Sequence, residues 1–93
     1  MKKRFTPQEL RRLRNEIPMG ALLRDVLDIP TKHVDDFLRF LCPLCREFNT
    51  AVNPTTNLGR CFRCEQNFNP IDMVMIVKGY SFLQAVEYLS SLL

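Results

Sequence analysis

Cys42-Pro43-Leu44-Cys45 and Cys61-Phe62-Arg63-Cys64 are two Cys-x-x-Cys turns separated by the fifteen residues 46–60. Two intervening residues let one tight turn present both sulfurs to a single ion. The longer spacer can fold as a hairpin that returns the chain for the second pair. Zinc takes four ligands at tetrahedral corners with sulfur about 2.3 Å away, and this spacing is that of a zinc ribbon. Three rivals are weaker. Paired disulfides need an oxidising compartment. A redox dithiol usually has one such motif beside a βαβ unit. An iron–sulfur centre uses the same ligands and stays open as the minor reading. The chain's one histidine, His33, lies outside both turns. Four thiolates close the coordination shell, so the expectation is one structural Zn²⁺ on Cys42, Cys45, Cys61 and Cys64, with no catalytic water.

Working outward from the turns, Phe37-Leu38-Arg39-Phe40-Leu41 reads as a strand entering the first turn, with residues 31–36 as a connector. Thr50–Val52 and Leu58–Phe62 read as the two strands of the spacer hairpin, with Pro54-Thr55-Thr56-Asn57 as its turn. Beyond the second turn the period changes. Asn69-Pro70-Ile71-Asp72 opens a helix with Asn69 as its cap and Asp72 complementing the dipole, ending at Lys78-Gly79. Ser81 and Gln84 form a capping box for a last helix, whose Phe82, Ala85, Val86 and Leu89 face inward. Upstream, Thr6-Pro7-Gln8-Glu9 is a helix start, and Phe5 and Leu10 suit a hydrophobic staple. Leu10, Leu13 and Ile17 make one apolar face; Pro18 interrupts, Ala21–Leu27 continues as a second short helix, and Ile29-Pro30 closes it. The fold expected is small α+β, a zinc ribbon flanked by N- and C-terminal helices. Residues 1–93 form a single zinc-binding domain: a helical arm over 1–30, the ribbon over 37–64 and helices over 70–93.

At 93 residues the chain is near the size where a core alone is only marginally stabilising, which suits a metal staple. Its apolar runs are far shorter than a membrane span, and the basic start lacks an apolar signal core, so the expected setting is the reducing cytoplasm. The formal net charge of +3 counts neutral thiols; four thiolates on one dication would lower it to about +1. Bulk charge therefore makes no case for nucleic acid. Local clusters must make it: residues 1–14 carry Lys2, Lys3, Arg4, Arg11, Arg12 and Arg14 against one acid, Glu9, which reads equally as a backbone-binding arm or as a solvated helix face.

Further residues carry a resemblance. Leu41-Cys42-Pro43, Val52, Cys61-Phe62-Arg63-Cys64, Asn69, Ile71-Asp72-Met73-Val74-Met75, Gly79-Tyr80-Ser81-Phe82 and Ala85-Val86-Glu87-Tyr88-Leu89 recur in that order. From Phe37 to Leu89 the chain thereby resembles the N-terminal zinc-binding domain of bacterial DnaG-type DNA primases, the Cys-His-Cys-Cys finger family. Pro7–Val26 is similar to that family's opening helices. The family's second ligand is usually His; Cys45 stands there instead. The family's lysine- and proline-containing segment after that second ligand is shortened here to Glu47-Phe48-Asn49-Thr50, and Glu65-Gln66-Asn67-Phe68 replaces its glycines after the last cysteine.

The resemblance implies a module that contacts single-stranded DNA during primer initiation. On the residues themselves, Arg39, Arg46, Arg60 and Arg63 could supply phosphate contacts, with Phe48, Phe68 or Phe62 nearby for base stacking. Phe62 weighs more as core than as platform. The chain has no paired carboxylates, phosphate loop or nucleophile–base pair, and no room for a polymerase core, so a non-catalytic accessory is expected. Its partners would be single-stranded DNA and, through it, a primase catalytic subunit, helicase or polymerase. The alternative is a zinc-stabilised protein-interaction adaptor, whose mark would be an exposed apolar patch at Met73, Met75 or Tyr88. A redox or zinc-sensing switch is the third and weakest reading.

Overall fold

In the computed structural model, which describes residues 5–93, Phe37–Phe40 (β2) pairs antiparallel with Thr31–Val34 (β1), a strand where the sequence suggested only a connector. The signal for it was Asp35-Asp36. Both residues take positive φ, 49° and 66°, the backbone of a tight two-residue hairpin turn. Aspartate tolerates that conformation better than most residues, but Asp-Asp is a fainter cue than the usual glycine pair. Thr50–Asn53 (β3), Leu58–Cys61 (β4) and Gln66–Phe68 (β5) form a second antiparallel sheet in that order. The third strand was also absent from the sequence reading. It pairs Cys61 with Gln66 and Gly59 with Phe68, so the second cysteine turn is itself a hairpin loop.

Alternation along these strands sorts the side chains. Thr50, Val52, Gly59, Cys61 and Phe68 point inward and are buried, while Ala51, Asn53, Arg60 and Asn67 belong to the outer face. Two devices lock the two sheets together. The Thr50 hydroxyl accepts the Phe40 N–H at 3.0 Å and donates back to the Phe40 carbonyl, which satisfies a buried polar group completely. The Phe40 ring, fully buried, lies over Gly59 so closely that a β-carbon there would stand 2.7 Å from two ring atoms.

Pro7–Asn15 (α1) starts as the sequence suggested, with Thr6 accepting the Glu9 N–H at 3.1 Å. Met19–Ala21 (α2) then runs into a π-helical stretch, Leu22–Val26, where Leu27 donates to the Leu22 carbonyl five residues back. Leu22 and Leu23 of this stretch are both fully buried in the core. Pro70–Lys78 (α3) has its Asn69–Asp72 capping box and a C-terminal Gly79 at φ 66°, and Phe82–Ser90 (α4) has the Ser81–Gln84 box. Leu13, Leu22, Leu23, Phe40, Met73, Val86 and Leu89 share one apolar core with the inner face of the ribbon. The expected α+β arrangement of a ribbon with flanking helices is thus present.

One buried polar residue joins the hairpin tip to the helical arm. Asn57, at φ 57° in the β3–β4 turn, accepts the Met19 N–H at 2.8 Å. Its Nδ2 donates to the carbonyls of Arg14 and Ile17 at 2.7 and 2.6 Å. Three backbone groups orphaned where α1 breaks before α2 are satisfied by one side chain. The sequence reading had Asn57 as a turn residue only.

Two substitutions test these links in zinc-loaded protein. Asn57→Ala strands three buried backbone groups and should cost about 3 kcal/mol in urea unfolding. Gly59→Ala must displace the Phe40 ring and should cost about 1–3 kcal/mol, an overpacking loss that Phe40→Leu in the same chain partly relieves.

Candidate metal centre and nucleic-acid interface

Cys42 follows β2 by two residues and Cys61 ends β4, so both are carried in by strands and are fully buried. Cys45 and Cys64 lie in the turns and are half-buried. The four Sγ atoms all lie within 4.8 Å of one another. Cys42–Cys64 and Cys45–Cys61 are separated by 3.9 and 3.7 Å. A tetrahedron with arms of about 2.3 Å has edges of about 3.8 Å, so the sulfurs already stand at zinc spacing. The donor set and its spacing fit the ion that the sequence implied.

The two turns are built alike. Arg46 donates its N–H to the Cys42 carbonyl at 2.9 Å, and Cys42 donates to the Glu47 carbonyl at 3.0 Å. In the second turn the Cys64 N–H donates to Cys61 Sγ at 3.3 Å. The residue after each pair is left-handed: Arg46 at φ 62° and Glu65 at φ 55°. Glycine takes that conformation freely, while other L-residues lose about 1–2 kcal/mol to it. Across the centre, Arg63 Nη1 donates to Glu47 Oε1 at 3.0 Å, an exposed pair that links the two turns.

Without metal the thiols titrate unequally. Burial raises Cys42, and burial together with the neighbouring cysteines pushes Cys64 up to about 12. Burial also opposes ionisation of Cys61, but the Cys64 N–H and the adjacent thiols outweigh it and bring Cys61 down to about 7. Cys61 is ready as a thiolate near neutrality while Cys42 and Cys64 hold their protons.

A family model described as CHC2 zinc finger matches residues 5–93. The chain belongs to the CHC2 zinc finger family. It is also 26% identical over 89 residues to a DNA primase of Streptomyces coelicolor, a match that covers 94% of this chain and 14% of that protein. The chain thus spans about one seventh of the length of this relative. With this membership and the sulfur geometry, the centre is the structural zinc site of a CHC2 finger in an all-cysteine form.

The structure scatters the residues that the sequence suggested for nucleic acid. Arg60 is exposed on the outer face of β4. Arg39 is half-buried on β2, its Nε buried and without a partner among the described residues. Arg63 is engaged by Glu47, and Arg46 lies on a different surface, beside Pro43, Ile76 and Val77. Phe68 is a correction. It is 2% exposed, packed inward opposite Gly59, and offers no ring to a base. Phe48 is half-buried under the Lys32 ammonium, 4.7 Å from its ring centre. Phe62, which the sequence favoured as core, is 58% exposed, because it follows the inward Cys61 and the chain turns outward there. Lys2, Lys3 and Arg4 lie outside the described residues; Arg11 and Arg12 are exposed on α1, and Arg12 is bridged to Glu16.

Strand alternation points to the residues that the sequence reading missed. Phe37 is 52% exposed and shares a shallow depression of about 440 Å³ with Phe62, Leu58, Arg60, Asn53 and Asn67. Period-two counting outward from Arg60 finds Leu58 and Phe62 at once, but Asn67 becomes visible only once β5 is known. The apolar patch proposed for a partner is also relocated. Met73 is fully buried and Met75 and Tyr88 half-buried, while Ile76, Val77, Phe82 and Leu83 are exposed.

Zinc requires thiolates, so its uptake must expel at least the protons of Cys42 and Cys64 at neutral pH. Proton release on binding means that acid opposes binding. Zinc affinity, measured by competition with a chromophoric chelator, should fall at least about a hundredfold from pH 7.5 to 6.5, a slope of two or more protons per ion.

Proposed function

We propose that this chain is the non-catalytic zinc-binding module of a cytoplasmic DNA-priming system and grips single-stranded DNA on the outer face of its ribbon. The observation that supports this reading most is the pair of phenylalanines, Phe37 and Phe62, both more than half exposed and lining one depression together with Arg60. Large exposed rings are costly to leave in water, and a charged guanidinium in the same depression matches the stacking-plus-phosphate pattern of sequence-tolerant single-strand binding. Arg39 follows Phe37 by two residues, so alternation sets it on the same face. The primase named among the relatives supports DNA as the ligand, and a catalytic subunit, helicase or polymerase as the partner that uses the captured template. The zinc holds the platform in shape and takes no part in chemistry.

A second reading is supported by a separate feature. Ile76 and Val77 border a groove of about 270 Å³ beside the first cysteine turn, with Asp28 and Arg46 also on its rim. A protein partner there would make the chain an adaptor, and the two readings are compatible.

Fluorescence anisotropy with a labelled single-stranded 15-mer separates them. Phe37→Ala and Phe62→Ala together should weaken binding at least about tenfold, since each stacked base is worth about 1–3 kcal/mol. Arg60→Ala should lower the salt slope by about one. No binding at low salt, or full affinity in the double phenylalanine variant, would sink the DNA reading.

A further inference from the structure

The helix α3 is apolar on nearly every side: of its nine residues only Asp72 and Lys78 are polar. A helix of that kind wants cover all round, and its own domain buries only Pro70, Ile71, Met73 and Val74. Ile76 and Val77, consecutive near its end, are each 37% exposed. They form one wall of the groove beside the first cysteine turn, whose lining also includes Ile29, Leu41 and Pro43. Leu44, the next residue of that turn, is 49% exposed and adjoins the groove without lining it. Asp28 and Arg46 line the same groove, and both are exposed. Neither belongs to an ion pair among the described residues, with each other or with any other group.

This face therefore carries both halves of each contact it needs. It has an apolar hollow with an apolar side chain beside it, and one unpaired charge of each sign. A partner of single sign would leave one of the two charges unmet. A second copy of the chain meets both. In a two-fold interface residue i of one copy faces residue j of the other, and j faces i. An axis passing midway between Asp28 and Arg46 sets each opposite its counterpart in the second copy, which makes two ion pairs at once. We propose that this groove is the interface of a homodimer. Ile76, Val77 and Leu44 supply its apolar contact, and the Asp28–Arg46 pairs fix its register. The proposal rests on the groove of the adaptor reading and names its occupant. It is independent of the DNA platform, with which the groove shares no lining residue. A face of this size falls short of the roughly 20–30 residues a side of a standard interface, so the dimer is weak, with a Kd on the order of 10 µM.

The test is sedimentation equilibrium of the zinc-loaded full chain over a wide concentration range, at low salt, where exposed charges are screened least. The mass should rise with concentration from 10.9 kDa toward twice that value. Val77→Asp, at an exposed position, should raise the dimer Kd at least about tenfold by burying a charge in the contact. Asp28→Lys and Arg46→Glu should each raise it about tenfold, because each turns two opposite pairs into two like pairs. An equimolar mixture of those two variants should dimerise as tightly as the unaltered chain, since both like pairs become opposite pairs in the mixed dimer. Equal zinc content and melting temperature in every variant check the fold. A chain that stays at 10.9 kDa throughout would overturn the second copy as occupant and leave the groove to a different protein. A dimer indifferent to all three substitutions would place the contact elsewhere and overturn the proposal. So would a mixture that fails to recover, since the two-fold pairing of Asp28 with Arg46 requires it.

Discussion

Four sulfurs must meet at the corners of one tetrahedron, and most of the ribbon can be read as the means of bringing them there. Cys42 is delivered by the end of β2 and Cys61 by the end of β4, while Cys45 and Cys64 come around tight turns. The sulfur separations of 3.7 and 3.9 Å leave space for one ion of zinc's bond length. Ligation of a structural zinc is worth on the order of 10 kcal/mol at neutral pH, as much as the whole net stability of a typical small domain. The centre can therefore hold left-handed residues at Arg46 and Glu65, each a loss of about a kcal/mol, that a metal-free turn of this size would tolerate poorly.

The metal organises one end of the ribbon and leaves the other to ordinary packing and hydrogen bonding. At that other end Asn57 holds the break between α1 and α2, and Phe40 closes over Gly59. Both contacts are specific to shape and cannot be exchanged for generic hydrophobic burial. Asn57 ties the helical arm to the hairpin tip, Phe40 ties the two sheets to each other, and the helices share one apolar core with the inner face of the ribbon. With that face buried, the outer face is left to solvent, and its two phenylalanines gain nothing from the protein's own core. That residue is what the proposed DNA platform is made from.

Composition and spacing determined the metal, its ligands and the helix ends. Those features are local. Two residues between cysteines fix a turn, and the Asn69–Asp72 and Ser81–Gln84 boxes are hydrogen bonds within a single helical turn. The strands β1 and β5 were hidden for the opposite reason. Each is short and polar, and each exists because a neighbour already supplies a ladder, β2 for one and β4 for the other. Burial followed from these pairings. Phe62 and Phe68 look interchangeable in the chain, six residues apart. Opposite Gly59, Phe68 turns into the core, while Phe62, just past the inward Cys61, turns out to solvent.

The sequence by itself determined that this chain closes around one zinc through Cys42, Cys45, Cys61 and Cys64, because ligand identity and turn length are properties of neighbouring residues. Only the tertiary structure decided which aromatic rings and which polar groups share a surface. Phe37, Asn53, Arg60, Phe62 and Asn67 come from four separate segments, and it is sheet register, set by long-range pairing, that brings them to one face.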